Sequence, residues 1–166
     1  MVRKFLYADP TVCVGCRICE AICSFHWEKT LNPKKARNRV RRVDPGLDVV
    51  VACRNCEQAW CIEACPEEAL YKNRQGIVMV NSKKCRGCGA CVEACPFGAI
   101  FLHPDTQKAI KCVTCGFCTT YCPVNTLRII TEEELATLKQ QKVIRAECKN
   151  LLDELRVEGE TMESEQ

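Results

Sequence analysis

The sequence predicts an α+β fold of two nested modules, each assembled from short hairpins and short helices, followed by a C-terminal amphipathic helix. Three observations predict it. Sixteen of the 17 cysteines fall into four runs: Cys13/Cys16/Cys19/Cys23, Cys53/Cys56/Cys61/Cys65, Cys85/Cys88/Cys91/Cys95 and Cys112/Cys115/Cys118/Cys122. Each run follows an extended apolar segment and leads into a short turn of helix, so the chain reads as four weak repeats. Beyond Pro123 the composition changes, and Thr131-Glu132-Glu133-Glu134 is a capping box that opens a helix.

The third run states the chemistry most clearly. In Cys85-Arg86-Gly87-Cys88-Gly89-Ala90-Cys91-Val92-Glu93-Ala94-Cys95-Pro96 the cysteines are separated by two, two and three residues and closed by proline. Three thiolates at such intervals reach neighbouring corners of one small inorganic core, while the fourth points elsewhere. This is the bacterial [4Fe-4S] ligand run, whose fourth cysteine serves the other cluster in two-cluster proteins. Sixteen such ligands make four [4Fe-4S] sites. Disulfides belong to oxidising compartments, and Met1 to Asp9 lacks the long apolar run of a signal peptide. Zinc ribbons use two cysteine pairs with a longer gap, and have no use for the further Cys-Pro.

The formal charge of +3 omits these centres. Four Fe4S4 cores of charge 2+, each on four thiolates, add about −8 and leave the loaded chain at about −5. Many Lys and Arg residues therefore compensate cluster charge, and nucleic-acid binding is not supported. No apolar stretch approaches a membrane span and no twin-arginine leader precedes the first run, so a reducing cytoplasm is expected.

In chain order, the strand candidates are Lys4 to Ala8, Asp48 to Ala52, Ile77 to Asn81 and Lys108 to Lys111, each delivering the chain into a ligand loop. In the first run Gly15 stands between ligands, as Gly87 and Gly89 do in the third, letting backbone amides approach sulfur. After Cys23, Ser24 replaces the expected proline and the chain continues into Phe25-His26-Trp27, so that exit is shaped differently. His26 reads as structural, and Trp27 and Trp60 as apolar covers over the sulfurs. The basic stretch Lys34, Lys35, Arg37, Arg39, Arg41 and Arg42 reads equally as a solvated edge strand or as a docking surface for an acidic partner.

The second run is widened by Glu57 to Trp60. After it, Ala69-Leu70-Tyr71, the Asn73-Arg74-Gln75-Gly76 turn and Ile77 to Val80 form a hairpin, which joins the second and third runs into one inner module, about residues 48–111. A second hairpin, Ile100 to Leu102 and Lys108 to Lys111 around His103 to Thr106, leads into the fourth run. If the inner runs pair, the outer ones must meet in space, so an outer module, about residues 1–30 with 108–130, encloses the first. The helix spans residues 131–157 with Ile144, Cys148, Leu151, Leu152 and Leu155 on one apolar face, Cys148 as a small buried hydrophobe, and residues 158–166 form an acidic, disordered tail. This helix also offers a surface for self-association.

With all four motifs placed, residues 1–130 resemble the four-cluster polyferredoxin or iron-sulfur subunits of molybdenum- and tungsten-pterin oxidoreductases. They look most like the small subunits that accompany tungsten aldehyde oxidoreductases and tungsten benzoyl-CoA reductases, and are also similar to ferredoxins associated with carbon-monoxide dehydrogenases. The resemblance implies two nested bacterial-ferredoxin-like modules. It assigns Cys53, Cys56, Cys61 and Cys95 to one cluster, and Cys85, Cys88, Cys91 and Cys65 to its neighbour. Cys13, Cys16 and Cys19 take Cys122, while Cys112, Cys115 and Cys118 take Cys23. It further implies a non-catalytic subunit from an anaerobic setting, passing single electrons between a large catalytic subunit with a pterin-bound metal and a flavin or ferredoxin partner. Nothing in the sequence resembles a catalytic triad, a phosphate loop or an acid-base carboxylate pair. The alternative is a freely diffusing polyferredoxin, or a carrier for carbon-monoxide dehydrogenase or hydrogenase.

Overall fold

Four two-stranded antiparallel sheets carry the chain from residue 4 to residue 131 of the computed structural model, which describes residues 3–143. β1 (Lys4–Ala8) is drawn into a sheet with the last strand, β8 (Leu127–Thr131), Lys4 standing opposite Thr131 and Ala8 opposite Leu127. Phe5 and Leu6 of β1 and Leu127 and Ile130 of β8 are buried, so both strands are held by apolar burial as well as by their ladder. The other sheets are local hairpins. β2 (Arg39–Val43) pairs with β3 (Leu47–Val51), β4 (Leu70–Lys72) with β5 (Val78–Val80), and β6 (Ile100–Leu102) with β7 (Ala109–Lys111).

Helices are short because each spans little more than a ligand run. α2 (Trp60–Glu63) and α3 (Ala90–Glu93) are single turns that end just before Cys65-Pro66 and Cys95-Pro96. α1 (Ile18–Glu28) is different: with Ser24 in place of proline it runs on for eleven residues and buries Cys19, Glu20, Cys23 and Ser24 on one face. The Ser24 hydroxyl donates to the Ala21 carbonyl at 2.8 Å and accepts the Asn32 N–H at 3.1 Å, fixing where the chain turns back. The returning segment is tied down by the Val40 N–H, which donates to the buried Glu20 carboxylate at 2.6 Å.

The basic stretch is largely satisfied from within. Arg39 donates to the carbonyls of Asn38 and Lys34 at 2.9 and 2.8 Å and to that of Ala36, and its guanidinium lies 4.3 Å above the Phe101 ring. Lys35 pairs with Asp105 at 2.6 Å and Arg42 with Asp48 at 2.9 Å. Arg37 lies 3.6 Å over the Trp27 ring. Of the two equal readings of this stretch, a strand forms over its second half, Arg39–Val43, and four of the six basic residues are engaged by the protein's own groups.

Two apolar clusters form. Leu6, Val40, Ala52 and Leu127 gather with Cys19, Cys53, Cys112, Cys118 and Cys122, and Leu70, Val78, Ile100 and Ala109 gather with Ala59 and Cys91. Cysteines supply most of the first cluster, where an ordinary core would place leucine or isoleucine. The chain divides into two compact units, Met1–Thr131 and Glu132–Gln166. In the second, residues 132–143 are helical, and the Thr137 hydroxyl donates to the Glu133 carbonyl at 3.0 Å. Thr131 thus ends β8 at the position expected for a helix cap. The apolar face from Ile144 to Leu155, Cys148 and the acidic tail 158–166 lie outside the described residues. Among the described residues no helix is long and apolar enough to cross a membrane.

Candidate metal centres

Each ligand run is bent by the same backbone device. The residue before the second cysteine has positive φ in all four runs: Gly15 (63°), Asn55 (48°), Gly87 (77°) and Thr114 (58°). The residue after the second cysteine repeats it at Arg17 (59°), Gly89 (85°) and Gly116 (78°), and the third residue after the fourth at Glu68 (47°), Gly98 (54°) and Asn125 (49°). Glycine marks only part of this pattern in the sequence. Asparagine visits this region with little difficulty, whereas β-branched Thr114 is held there against preference.

The bends turn N–H groups onto sulfur. Asn55 and Thr114 donate to Cys53 Sγ and Cys112 Sγ, both at 3.4 Å, and Ala69 and Ala99 donate to Cys65 Sγ and Cys95 Sγ at 3.3 and 3.4 Å. Ala109 donates to Cys85 Sγ at 3.4 Å. Such donors favour the charged form of the sulfur. Cys23 lacks the local turn because α1 continues past it. Its donor is the Arg37 N–H at 3.3 Å, brought back from 14 residues on by the segment between α1 and β2.

The thiols collect in fours. Cys13, Cys16, Cys19 and Cys122 line one cavity, walled by Val40 and Leu127. Cys23, Cys112, Cys115 and Cys118 line a second beside Leu6 and Trp27, and Cys65, Cys85, Cys88 and Cys91 a third beside Leu70. These cavities hold about 320, 350 and 310 Å³, counting their open mouths. The remaining four face one another. Burial pushes the Cys61 thiol up to about 11, with Cys53 and Cys95 adding to the rise, and Cys56 is raised by burial and then by Cys53 and Cys95. Three of the sets line a cavity, and among the described residues no group of three or more His, Cys, Asp or Glu side chains could hold a single metal ion. Four soft sulfurs around a volume, with N–H groups on the sulfurs, fit a [4Fe-4S] cluster.

Neighbouring sets lie within electrostatic reach of one another. Burial raises Cys118 well above the ordinary thiol range, and Cys19 of the first set adds to it. Burial pushes Cys112 up to about 12, with Cys53 adding and positive Lys111 opposing. Cys61 in turn feels Cys91. Electrostatic reach thus links Cys13/16/19/122 with Cys23/112/115/118, that set with Cys53/56/61/95, and that one with Cys65/85/88/91. Cys16 and Cys88, one in each end set, are exposed, as is Cys115. Lys111 is buried where the middle sets meet, and its ammonium donates to the carbonyls of Val78 and, at 2.9 Å, Cys112.

Asn55 is the functional residue that the cysteine spacing did not reveal. Buried at the same place in its run as Gly15 and Gly87, it donates from Nδ2 to the Lys4 carbonyl and to Thr114 Oγ1, both at 2.8 Å, and accepts the Val78 N–H at 3.2 Å. It ties β1, the fourth run and β5 together. The signal available was an asparagine where two sister runs carry glycine. His26 stacks on Phe117 at 4.2 Å and lines the second cavity with Trp27. Trp27 and Trp60, both expected as covers, are 37% and 44% exposed.

The 4Fe-4S dicluster domain family matches residues 49–132, and the 4Fe-4S binding domain family matches residues 10–26. The chain is 42% identical over 95 residues to the aliphatic sulfonate oxidoreductase polyferredoxin-like subunit of Pyrococcus furiosus, covering 57% of this chain and 55% of that protein. It is 35% identical over 105 residues to a tetrathionate reductase subunit of Archaeoglobus fulgidus, covering 61% and 50%. With the electron transport protein HydN of Escherichia coli K12 it shares 38% identity over 106 residues, covering 60% and 59%. The match thus spans between half and three fifths of these relatives' lengths. Among solved structures, the BamBC active site complex of benzoyl coenzyme A reductase with benzoyl-CoA contains a chain 25% identical at a TM-score of 0.46, covering 87% of this chain and 91% of that one.

Proposed function

Because the chain belongs to the 4Fe-4S dicluster domain family, we propose that it is a non-catalytic electron-transfer subunit with four [4Fe-4S] clusters, relaying single electrons between a large catalytic oxidoreductase subunit and a second redox partner. The observation that carries this reading is the gathering of sixteen thiols into four sets, each within electrostatic reach of the next. In it, Cys13, Cys16, Cys19 and Cys122 hold one cluster; Cys23, Cys112, Cys115 and Cys118 a second; Cys53, Cys56, Cys61 and Cys95 a third; and Cys65, Cys85, Cys88 and Cys91 a fourth. Bound clusters supply one-electron chemistry, with potentials set by hydrogen bonds to sulfur, charge and exposure. The polypeptide holds the sulfurs, aims N–H groups at them and leaves one cysteine of each end set at the surface.

The catalytic partner is supported by relatives named as oxidoreductase and reductase subunits. The overall resemblance of residues 1–130 favours a partner with pterin-bound tungsten or molybdenum, of the aldehyde oxidoreductase type, in a reducing cytoplasm. A flavoprotein or ferredoxin suits the other end of the series. The likeness to HydN, an electron transport protein by name, favours a second reading as a freely diffusing carrier.

Anaerobic purification tests the cluster content. About 16 iron atoms per chain are expected, and a count near eight, or zinc in stoichiometric amount, overturns the reading. Affinity capture from native cells separates the two roles: a large co-purifying metalloenzyme subunit supports the first, and a lone monomer the second.

A further inference from the structure

The segment between α1 and β2 folds over the cavity of Cys23, Cys112, Cys115 and Cys118, and Asn38 within it is left without a partner. Asn38 is 1% exposed and lines that cavity, and its side-chain Nδ2 and Oδ1 are buried with no hydrogen-bond partner among the described residues. Buried amides are almost always paired, and leaving one unpaired costs about 1–3 kcal/mol. The described residues around Asn38 supply no group to meet it. The cavity it lines is the place of a cluster in the reading above, and cluster sulfurs accept hydrogen bonds but donate none. A side-chain amide offers two N–H donors on one nitrogen, which is the complementary group, and the acceptor-only sulfur selects Nδ2 over Oδ1 to face it. The adjacent Arg37 N–H already donates to Cys23 Sγ at 3.3 Å from the same segment.

We propose that Asn38 is a potential-setting residue, whose side-chain amide donates to the [4Fe-4S] cluster held by Cys23, Cys112, Cys115 and Cys118 and raises its reduction potential. The proposal rests on the four-cluster reading. Reduction adds one electron and makes the cluster more negative, so a donor aimed at sulfur stabilises the reduced state more than the oxidised one. Lys111, buried beside Cys112, acts in the same direction. Both groups bear on the second set in the series, making an inner position, rather than either exposed end, a resting place for an electron.

The test is an EPR-monitored potentiometric titration of the full-length, cluster-loaded chain as wild type, N38L and N38D. Asn38→Leu removes the donor, and Asn38→Asp keeps the shape while replacing the donor by an acceptor. In N38L one of the four midpoint potentials is expected to fall, so that the reduced-to-oxidised ratio of that cluster drops about tenfold at fixed ambient potential, a shift of about 59 mV for one electron. The other three stay in place, iron content is unchanged, and N38D moves the same cluster further down. Unchanged potentials in the variants that load would overturn the proposal. So would loss of that cluster from both variants, since a single hydrogen bond to a core held by four thiolates sets its potential and not its presence. If wild type itself loads well short of about 16 iron atoms, the four-cluster reading fails first and this proposal falls with it, whatever the variants do.

Discussion

Gly15 and Gly87 occupy the same place in their runs and share a left-handed backbone, with φ of 63° and 77°. What lies beyond the missing side chain differs. A Cβ at Gly15 would come within 2.4 Å of the buried Asp48 carboxylate, a side-chain end that moves only by giving up its 2.9 Å pair with Arg42, whereas one at Gly87 would come within 2.3 Å of the Gln107 carbonyl, which is backbone. Gly15→Ala is therefore expected to destabilise the loaded protein by about 1–2 kcal/mol for the backbone conformation, with a smaller addition for the displaced Asp48–Arg42 pair. Gly87→Ala should cost a further 1–3 kcal/mol or so and release iron from the Cys65/85/88/91 set first. Denaturant unfolding under anaerobic conditions, with iron retention measured alongside, checks this, and equal losses would show that the Gln107 carbonyl yields. Glycine could be read from the sequence at these positions. The same bend at Thr114 could not, because there the fold, and not the residue's own preference, holds the conformation, and at Asn55 the asparagine was a weaker signal than glycine.

Among the elements, the hairpins were the most legible. β4–β5 and β6–β7 join segments adjacent in sequence around turn residues, so the local pattern is enough to specify them. β1 was also legible over its full length at Lys4–Ala8, but its partner was not. Pairing Tyr7 with Arg128 closes a span of more than a hundred residues, which no local pattern announces. Phe5, 2% exposed, anchors that pairing, and the Arg54 guanidinium lies 4.8 Å over its ring. Phe5→Ala is expected to cost about 3–5 kcal/mol and to lower the midpoint of thermal unfolding of the loaded chain, a larger loss than an exposed aromatic such as Tyr121 would give. α1 shows the opposite limit. Ser24 signalled a different exit, and only the folded chain shows what that exit is: a helix that runs on, and a segment that returns Arg37 to Cys23 and Asn38 to the cavity.

For the whole molecule, the exchange of fourth cysteines between runs makes one sharp prediction. Cys95 belongs to the third run, yet Cys56 and Cys61 of the second run feel it directly. Cys95→Ala is expected to remove about four iron atoms per chain by abolishing the cluster at Cys53, Cys56 and Cys61, while the spectra of the cluster at Cys85, Cys88 and Cys91 persist. Loss of the latter with the former intact would overturn the exchange. By itself, the sequence determined the iron-sulfur chemistry and which thiols fall into ligand-type runs, because cysteine spacing is a covalent, local constraint that a cluster reads over a few residues. It also required the outer runs to meet. Only the tertiary structure decided which of the four sets are neighbours, the burial of Lys111 between the middle two, the stitching by Asn55 and the unpaired amide of Asn38. Each of these depends on groups far apart in the chain being brought within a few ångströms, and distance in space between such groups is set by packing rather than by spacing along the chain.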